Sequence, residues 1–520
     1  MVLGNSLRLL APLGMSLLLS SVLSAQETAA AAQSPQRLCC SSRGTALLGV
    51  VDSGAGVLRV ARNPAALHTF SLQAAPARVI SLGLEQSRGT LHRPQDANAS
   101  QSTLASAWGW RTARRWLMTG GVGWRRFRDD DVAWRNVSDA YRGAAYVWAD
   151  SVGGTWRGDA LQLNSALASP AWRNVRAGFG VDYGVGQGAR RNASRPLYRR
   201  RVAELTPALM WTARGQSLAA SAVLGWQRED LEVGGGGVID PTLFRFRGIS
   251  TFDRTQLISA ERAMIGSVRG ATVAYAGEHA RWAWAIAAGE RREQDSVRDG
   301  IGRPEFGGGT ARERREVNAV VRRRHNVGGS EARVSWQRET ARGTDPVFRA
   351  VNQVDVGALL HAEVMYWHRG QAASTSLDGP LHAAWLWGIE VLRPHTSRRD
   401  VVAENAWEVQ RTEVGGRLVR RQPVGSGSLV VGARLWASTV TDSLYRADRA
   451  TVMTARLARP DFDVHAAAQR GADITIAYEW QRVSSTQLRA RVRIDSRLVD
   501  ASDNRALGGR QLWRLGSELY

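Results

Sequence analysis

The chain alternates in period two. Ile474, Ile476, Tyr478 and Trp480 fall on one side of the pattern, with Thr475, Ala477, Glu479 and Gln481 on the other. The next segment sets Leu488, Ala490, Val492 and Ile494 against Gln487, Arg489, Arg491, Arg493 and Asp495. Side chains of an extended strand point alternately to its two faces, so each segment makes one apolar and one polar surface. A helix would scatter those arginines around its circumference. Upstream, Leu218, Ala220, Ala222, Leu224 and Trp226 oppose Ser217, Ala219, Ser221 and Gln227. Ala332, Val334 and Trp336 oppose Arg333, Ser335, Gln337 and Glu339, and the apolar set Val354 to Tyr366 opposes Asp355, His361 and Glu363. Trp108 with Trp110, Trp282 with Trp284 and Ile286, and Trp385 with Trp387 and Ile389 each share a face.

Such segments run about ten to thirteen residues, the length of a tilted membrane strand and roughly twice that of a globular one. Tryptophans near their ends suit an interfacial belt. Short connections are expected at Ala113–Arg115, Arg214–Gln216, Gly277–His279, Val327–Gly329 and Val424–Gly427. Long polar ones are expected at Arg88–Gln101, Arg128–Arg142, Val185–Arg201, Asp230–Arg254, Glu293–Arg312 and Arg342–Asn352. Short and long broadly alternate, as in an up-and-down barrel with tight periplasmic turns and long external loops. The pattern therefore predicts an all-β fold over residues 77–520: a transmembrane antiparallel up-and-down β-barrel of about eighteen strands, within roughly 16 to 20. A soluble sandwich would also alternate, but strand length, the tryptophan positions and a strongly charged polar face weigh against it. The stretch Leu512 to Tyr520 puts Trp513, Leu515 and Leu519 on one face and Tyr520 on the other beside Arg514 and Glu518. It is a C-terminal aromatic strand of the kind that outer-membrane insertion machinery reads.

The N-terminal residues bear on compartment. Arg8 precedes an apolar run from Leu9 to Leu23 that closes on Leu23-Ser24-Ala25, so residues 1–25 read as a cleaved signal peptide. Residues 26–40 form a low-complexity tail holding Cys39 and Cys40, the only cysteines, whose fate the sequence leaves open. Residues 41–76 are apolar at Ala46–Val51 and Val57–Val60 yet too short for a self-sufficient domain. They are expected to act as a periplasmic or plug segment. In that reading Gly49–Leu67 docks inside or under the barrel, and Asn63 and Pro64 form the turn into the first strand.

Composition narrows the function. Beyond the leader no stretch of eighteen apolar residues occurs, which excludes a helical membrane protein, although 44% hydrophobic residues would suffice for a soluble core. Basic residues number 69 against 47 acidic ones, a net charge of +22, and every basic residue is arginine. They are spread along the whole length, so outer-membrane lipid, lipopolysaccharide or an anionic solute is the expected partner and nucleic acid is not. The densest clusters are Arg199, Arg200 and Arg201, and Arg322, Arg323 and Arg324. They are candidate contacts for anions or lipopolysaccharide, against a reading as solvated lumen arginines. Asp129-Asp130-Asp131 reads as a calcium-binding or, more simply, a solvated acidic loop. Gly234–Gly237 and Gly307–Gly309 read as flexible connections, without the helix and lysine that a phosphate cradle needs. The nine histidines single out no Ser-His-Asp arrangement, so no enzyme and no cofactor are expected.

Two resemblances follow from particular residues. WRNVSDAYRGAAYVWADSVGG from Trp134 and AGFGVDYGVGQGARRNASRPLYRR from Ala177 resemble an uncharacterised family of outer-membrane barrels with a tyrosine-rich strand before an arginine- and proline-rich loop. Here that loop reads Arg195-Pro196-Leu197-Tyr198-Arg199. Asn63-Pro64-Ala65 is similar to the entry of fatty-acid-transporter-type barrels, and that resemblance implies a plugging N-terminal segment. Two functions stay open for a barrel in the outer membrane of a Gram-negative-type bacterium. One is a channel or transporter for small, anionic or amphipathic solutes, with anion preference from inner arginines. The other is a non-conducting surface, adhesion or secretion-accessory barrel with a plugged lumen.

Overall fold

A computed structural model describes residues 63–69, 78–141, 146–191, 194–234, 242–256, 259–300, 303–368, 384–480, 490–503 and 506–519. The expected signal peptide, the tail with Cys39 and Cys40, and residues 41–62 of the expected plug lie outside them. A 3-10 turn, Pro64–Thr69, comes first. The strands are β1 (Arg78–Gly89), β2 (Ala99–Ala113), β3 (Trp116–Val132), β4 (Trp148–Ala149), β5 (Gly154–Ala168), β6 (Val175–Arg190) and β7 (Leu197–Ala213). There follow β8 (Gln216–Gly234), β9 (Thr242–Phe246), β10 (Phe252–Gln256), β11 (Ser259–His279), β12 (Trp282–Asp299), β13 (Glu305–His325) and β14 (Gly328–Thr344). The last are β15 (Val351–His368), β16 (Trp385–Asp400), β17 (Asn405–Val424), β18 (Gly427–Ala447), β19 (Gln469–Trp480), β20 (Ala490–Asp503) and β21 (Ala506–Leu519). One α-helix, α1 (Arg459–Ala466), stands between β18 and β19.

Eighteen of these strands form one sheet in which each pairs antiparallel with its chain neighbours, and β1 pairs with both β2 and β21. The sheet is therefore a closed barrel with no free edge, and every strand satisfies its backbone on both sides. The strands β4, β9 and β10 make a separate three-stranded sheet within the loops.

Wall polarity is inverted relative to a water-soluble protein. Apolar side chains point outward and stay exposed, among them Ile80, Leu84, Val122, Trp124, Leu224, Trp226, Ile286, Val334, Trp336 and Ile476. Inward neighbours such as Glu331, Glu363, Glu390, Arg434, Arg491 and Arg493 are charged and buried. The faces read from the sequence for β14, β19 and β20 are the observed ones.

Three expectations need correction. Trp108 and Trp110 do not join an outward belt: their ring centroids stand 5.1 Å apart on the inner wall, where Trp108 is buried and Trp110 packs beside Leu67, Leu117 and Ala168. Gly277–His279 belongs to β11, which turns one step later. Two of the expected long loops are mostly wall. β6 runs to Arg190 and β7 starts at Leu197, while β12 runs to Asp299 and β13, which contains Gly307–Gly309, starts at Glu305. Here the strands continue past the apolar band, so their outward positions are charged (Arg199, Glu232, Glu290, Arg292) and the period-two hydrophobic signal vanishes although the ladder does not.

Candidate functional site

The described long loops gather at one end of the barrel and fold into it, and wall residues hold them there. Arg190, inward at the end of β6, donates to Asp150 Oδ2 at 2.5 Å with its side chain wholly buried. Glu229 of β8 accepts from the Ser138 backbone N–H at 2.8 Å and from its hydroxyl at 2.6 Å. Arg262 of β11 donates to the Tyr146 carbonyl at 2.7 Å and stacks 4.5 Å from the Trp148 ring. Asp400, at the end of β16, accepts from the backbone N–H groups of Ser250 and Thr251 at 3.0 and 2.9 Å. Asp345 takes Arg247 in a two-point pair at 2.9 and 3.0 Å. Between these anchors lies an apolar centre: Val147, Ala149, Phe244, Phe246, Met453 and Leu457, with Trp134 edge-on to Phe244 at 5.3 Å. The loops thus form a packed cap with its own small core.

One latch ties the first loop to the last. Arg93, between β1 and β2, donates to both oxygens of Asp461 on α1 at 2.6 and 3.1 Å and lies 3.3 Å over the Tyr141 ring. Arg398 of β16 donates to the same carboxylate at 3.2 Å. Burial alone would raise the Asp461 carboxyl, but Arg93, Arg398 and His465 outweigh it and hold it well below the carboxylate range. Burial, reinforced by Arg93, pushes the neighbouring His465 imidazole down to about 3. Among the described residues Asp96 has no such two-point partner, and burial raises it despite Arg93 and Arg135.

The other end holds the N-terminal turn. Asn63 Oδ1 accepts from the Ala65 N–H at 2.9 Å, and its amide donates to the Ala220 carbonyl at 3.0 Å. Ala65 and Ala66 pack against a patch of small inward residues that includes Ala208, Ala219, Ala274, Ala285 and Ala287. A Cβ on Gly178 would stand 2.2 Å from the Ala65 nitrogen, so only glycine lets the turn approach β6. Asn63 and Pro64 thus stand against the inner wall, and residues 70–77, which lead from them towards β1, lie outside the described residues. The turn contacts β5 to β8, and Leu67 also packs beside Leu117 of β3 and Trp110 of β2.

Between cap and turn the inner wall carries a ladder of ion pairs. Arg434 of β18 reaches Glu390, Glu413 at 2.8 Å and Asp473 at 3.1 Å, bridging four strands. Arg291 pairs with Glu204 at 2.6 Å and Arg514 with Glu85 at 3.0 Å. Beneath the cap a hollow is lined by Asp96, Ser100, Arg125, Asp129, Arg135 and Tyr198 beside the glycines of β6. Among the described residues the Arg125 guanidinium has no carboxylate partner; it lies 5.6 Å from the Phe127 ring.

The arginine triplets are divided by strand period. Arg199 and Arg201 face outward, Arg199 paired with Glu232 at 2.7 Å, and Arg200 faces in to line the hollow. Arg322 is buried inward on Glu331, whereas Arg323 lies outside over the Trp282 ring at 5.3 Å. Arg324 faces in near Glu278 at 3.8 Å. Neither triplet is a single contact surface. The Asp129–Asp131 run is likewise the end of β3 and not a loop: Asp129 faces in and accepts from Ser100 at 2.7 Å, and Asp130 pairs outside with Arg128. Among the described residues no group of three or more His, Cys, Asp or Glu could hold a metal. The latch was missed because Arg93 and Asp461 lie between wall strands, outside any period-two segment, and the alternation of β16 does not reveal what Arg398 meets. Arg459-Pro460-Asp461-Phe462-Asp463, with proline in the first turn and an Arg459–Asp463 pair at i,i+4, was the available sign of α1.

A closed eighteen-stranded antiparallel barrel, apolar outside and ion-paired within, defines the class of protein. Within that class the chain belongs to a family of unknown function, DUF6850, matched over residues 64–520. No curated protein matches it. Among solved structures it is similar to BauA, the ferric preacinetobactin receptor from Acinetobacter baumannii, at 8% identity and TM-score 0.35, covering 86% of this chain and 80% of that one. The copper transporter OprC gives 8% identity and TM-score 0.36, covering 86% and 81%. A Pseudomonas aeruginosa FadL homologue gives 9% and 0.30, covering 88% and 92%. At these values the likenesses carry no argument about what this chain transports or binds.

Proposed function

We propose that the protein is an outer-membrane barrel of a Gram-negative-type envelope that passes a small anionic or amphipathic solute and rests closed. The inverted polarity of the wall carries this reading, since an exposed apolar band with a charged interior is stable only where lipid covers the outside. The cap supports the closed resting state. The hollow beneath it, with Arg125 lacking a carboxylate partner among the described residues, favours an anionic solute. The insertion machinery of the outer membrane is the expected assembly partner.

A second reading, a non-conducting barrel with a permanent plug, is favoured by the buried latch of Arg93, Asp461 and Arg398. Planar-bilayer recordings separate the two. A transporter closed at rest gives rare steps that Asp461→Asn makes frequent, with an anion-weighted reversal potential. No steps from either protein would establish the plugged barrel, and a cation-weighted potential would overturn the choice of solute.

A further inference from the structure

On six consecutive wall strands the outer surface sets arginine directly opposite arginine. Arg201 of β7 faces Arg228 of β8, Arg269 of β11 faces Arg292 of β12, and Arg315 of β13 faces Arg338 of β14. Directly opposed side chains on one sheet face stand about 5 Å apart at Cβ, and like charges there are destabilising. All six are exposed. In each pair one member has an acidic neighbour: Arg228 with Asp230 at 2.8 Å, Arg292 with Glu290 at 2.5 Å, and Arg315 with Glu290 at 3.7 Å. The other member, Arg201, Arg269 or Arg338, has no carboxylate partner among the described residues.

The pairs follow the edge of the apolar band. Leu224 and Trp226 precede Arg228, Ile286 and Ala288 precede Arg292, and Val334 and Trp336 precede Arg338, all outward on their own strands. Followed through the register, Trp226 faces Ser267, then Gln294, Ala311 and Arg342, so the belt tryptophan of β14 lies nearer the short-turn end than the register line. Strand tilt produces that drift, and the arginine pairs drift with the belt. They sit where lipid headgroups begin, on the side of the long loops.

We propose that Arg201, Arg269 and Arg338 form a binding surface for the phosphates of a phosphorylated glycolipid in the outer leaflet. Neighbouring strands lie about 4.8 Å apart, and successive pairs are also offset along the strands, by four residues from Arg228 to Arg269 and by two from Arg292 to Arg315, so they stand roughly 17 and 12 Å apart around the wall. A planar guanidinium takes phosphate through two parallel hydrogen bonds, and phosphate between opposed arginines turns their repulsion into attraction. Lipid phosphate is chosen over free phosphate because the apolar belt adjoins every pair and acyl chains would cover it. This inference rests on the membrane reading above.

The test compares the purified full chain with Arg201→Gln/Arg269→Gln/Arg338→Gln, reconstituted in vesicles of phosphatidylcholine alone or with diphosphoryl lipid A. Heat-modified gel migration reports insertion and melting. The wild type should melt several degrees higher with lipid A, the shift shrinking in high salt. The triple variant should keep its midpoint in phosphatidylcholine and lose at least half of the lipid A shift. Arg→Lys at the same three positions keeps the charge without the fork and should give an intermediate shift. An equal shift in wild type and glutamine variant would overturn the proposal, as would the full shift from inorganic phosphate without lipid A. Failure to insert into any vesicle would instead overturn the membrane reading.

Discussion

Arg93 and Asp461 stand 368 positions apart in the chain and meet as a buried two-point ion pair at 2.6 and 3.1 Å. The pair joins the first long loop to the only α-helix among the described residues, so the cap depends on it more than the wall does. Removing one partner of a buried pair leaves an unpaired charge and costs about 3–5 kcal/mol. Asp461→Asn should therefore open the cap without unfolding the barrel. Limited proteolysis should cut between β18 and β19 in the variant while heat-modified migration stays as in the wild type. Parallel loss of both would show that the cap is not a separate unit.

Acid should loosen the same latch. Burial, reinforced by Arg93, Arg411 and Arg398 and opposed by Asp461, pushes the His465 imidazole down from 6.5 to about 3 in the folded protein. Its folded value lies below its unfolded one, so the folded cap refuses a proton that the released helix accepts. Cap stability is therefore lost as pH falls from about 6.5 towards 3, at up to about 1.4 kcal/mol per pH unit. Asp461 is also depressed, so its contribution is present above the ordinary carboxylate range and fades only at still lower pH. Proteolysis of the cap should rise between pH 7.5 and 4.5 in the wild type and much less in His465→Gln. An unchanged pH profile in that variant would assign the effect elsewhere.

The N-terminal turn offers a steric test. Ala66 is 2% exposed in its docked position. With Cys39 and Cys40 replaced by serine, Ala66→Cys should resist maleimide in the inserted protein. Adding Gly178→Val places a side chain where the Ala65 backbone lies, and labelling should rise at least tenfold. Equal labelling with and without Gly178→Val would mean that the docked position is not held.

Arg434 compensates three carboxylates at once, so Arg434→Gln should destabilise the wall itself, by about 3 kcal/mol or more. Urea unfolding of the detergent-refolded protein reads this directly. A midpoint equal to the wild type's would show that water already screens the ladder.

What the sequence disclosed followed from periodicity. On β14, Val334 and Trp336 alternate with Arg333, Ser335 and Gln337, and only one placement of such a strand separates lipid-like from polar surroundings. Trp108 and Trp110 misled because alternation says that two residues share a face and not which face it is. Within this wall, Trp108 fills the space above Gly121 on the inside. Arg199 to Arg201 look like one basic cluster in the chain, yet consecutive strand positions cannot share a surface. The latch left no periodic trace at all: its three members are joined only by folding of the loops.

The pairing of β1 with β21 also sets an order of events in assembly. Arg514 meets Glu85 across 429 positions and Arg510 meets Ser87 across 423, whereas most neighbouring strands of the wall are joined by connections of a few residues. Hairpins can zip as the chain becomes available, but the seam must wait for the final strand and closes against the largest loop entropy in the molecule. Until then β1 and the growing end both offer open ladders to any passing strand, a liability for aggregation that only closure of the seam removes.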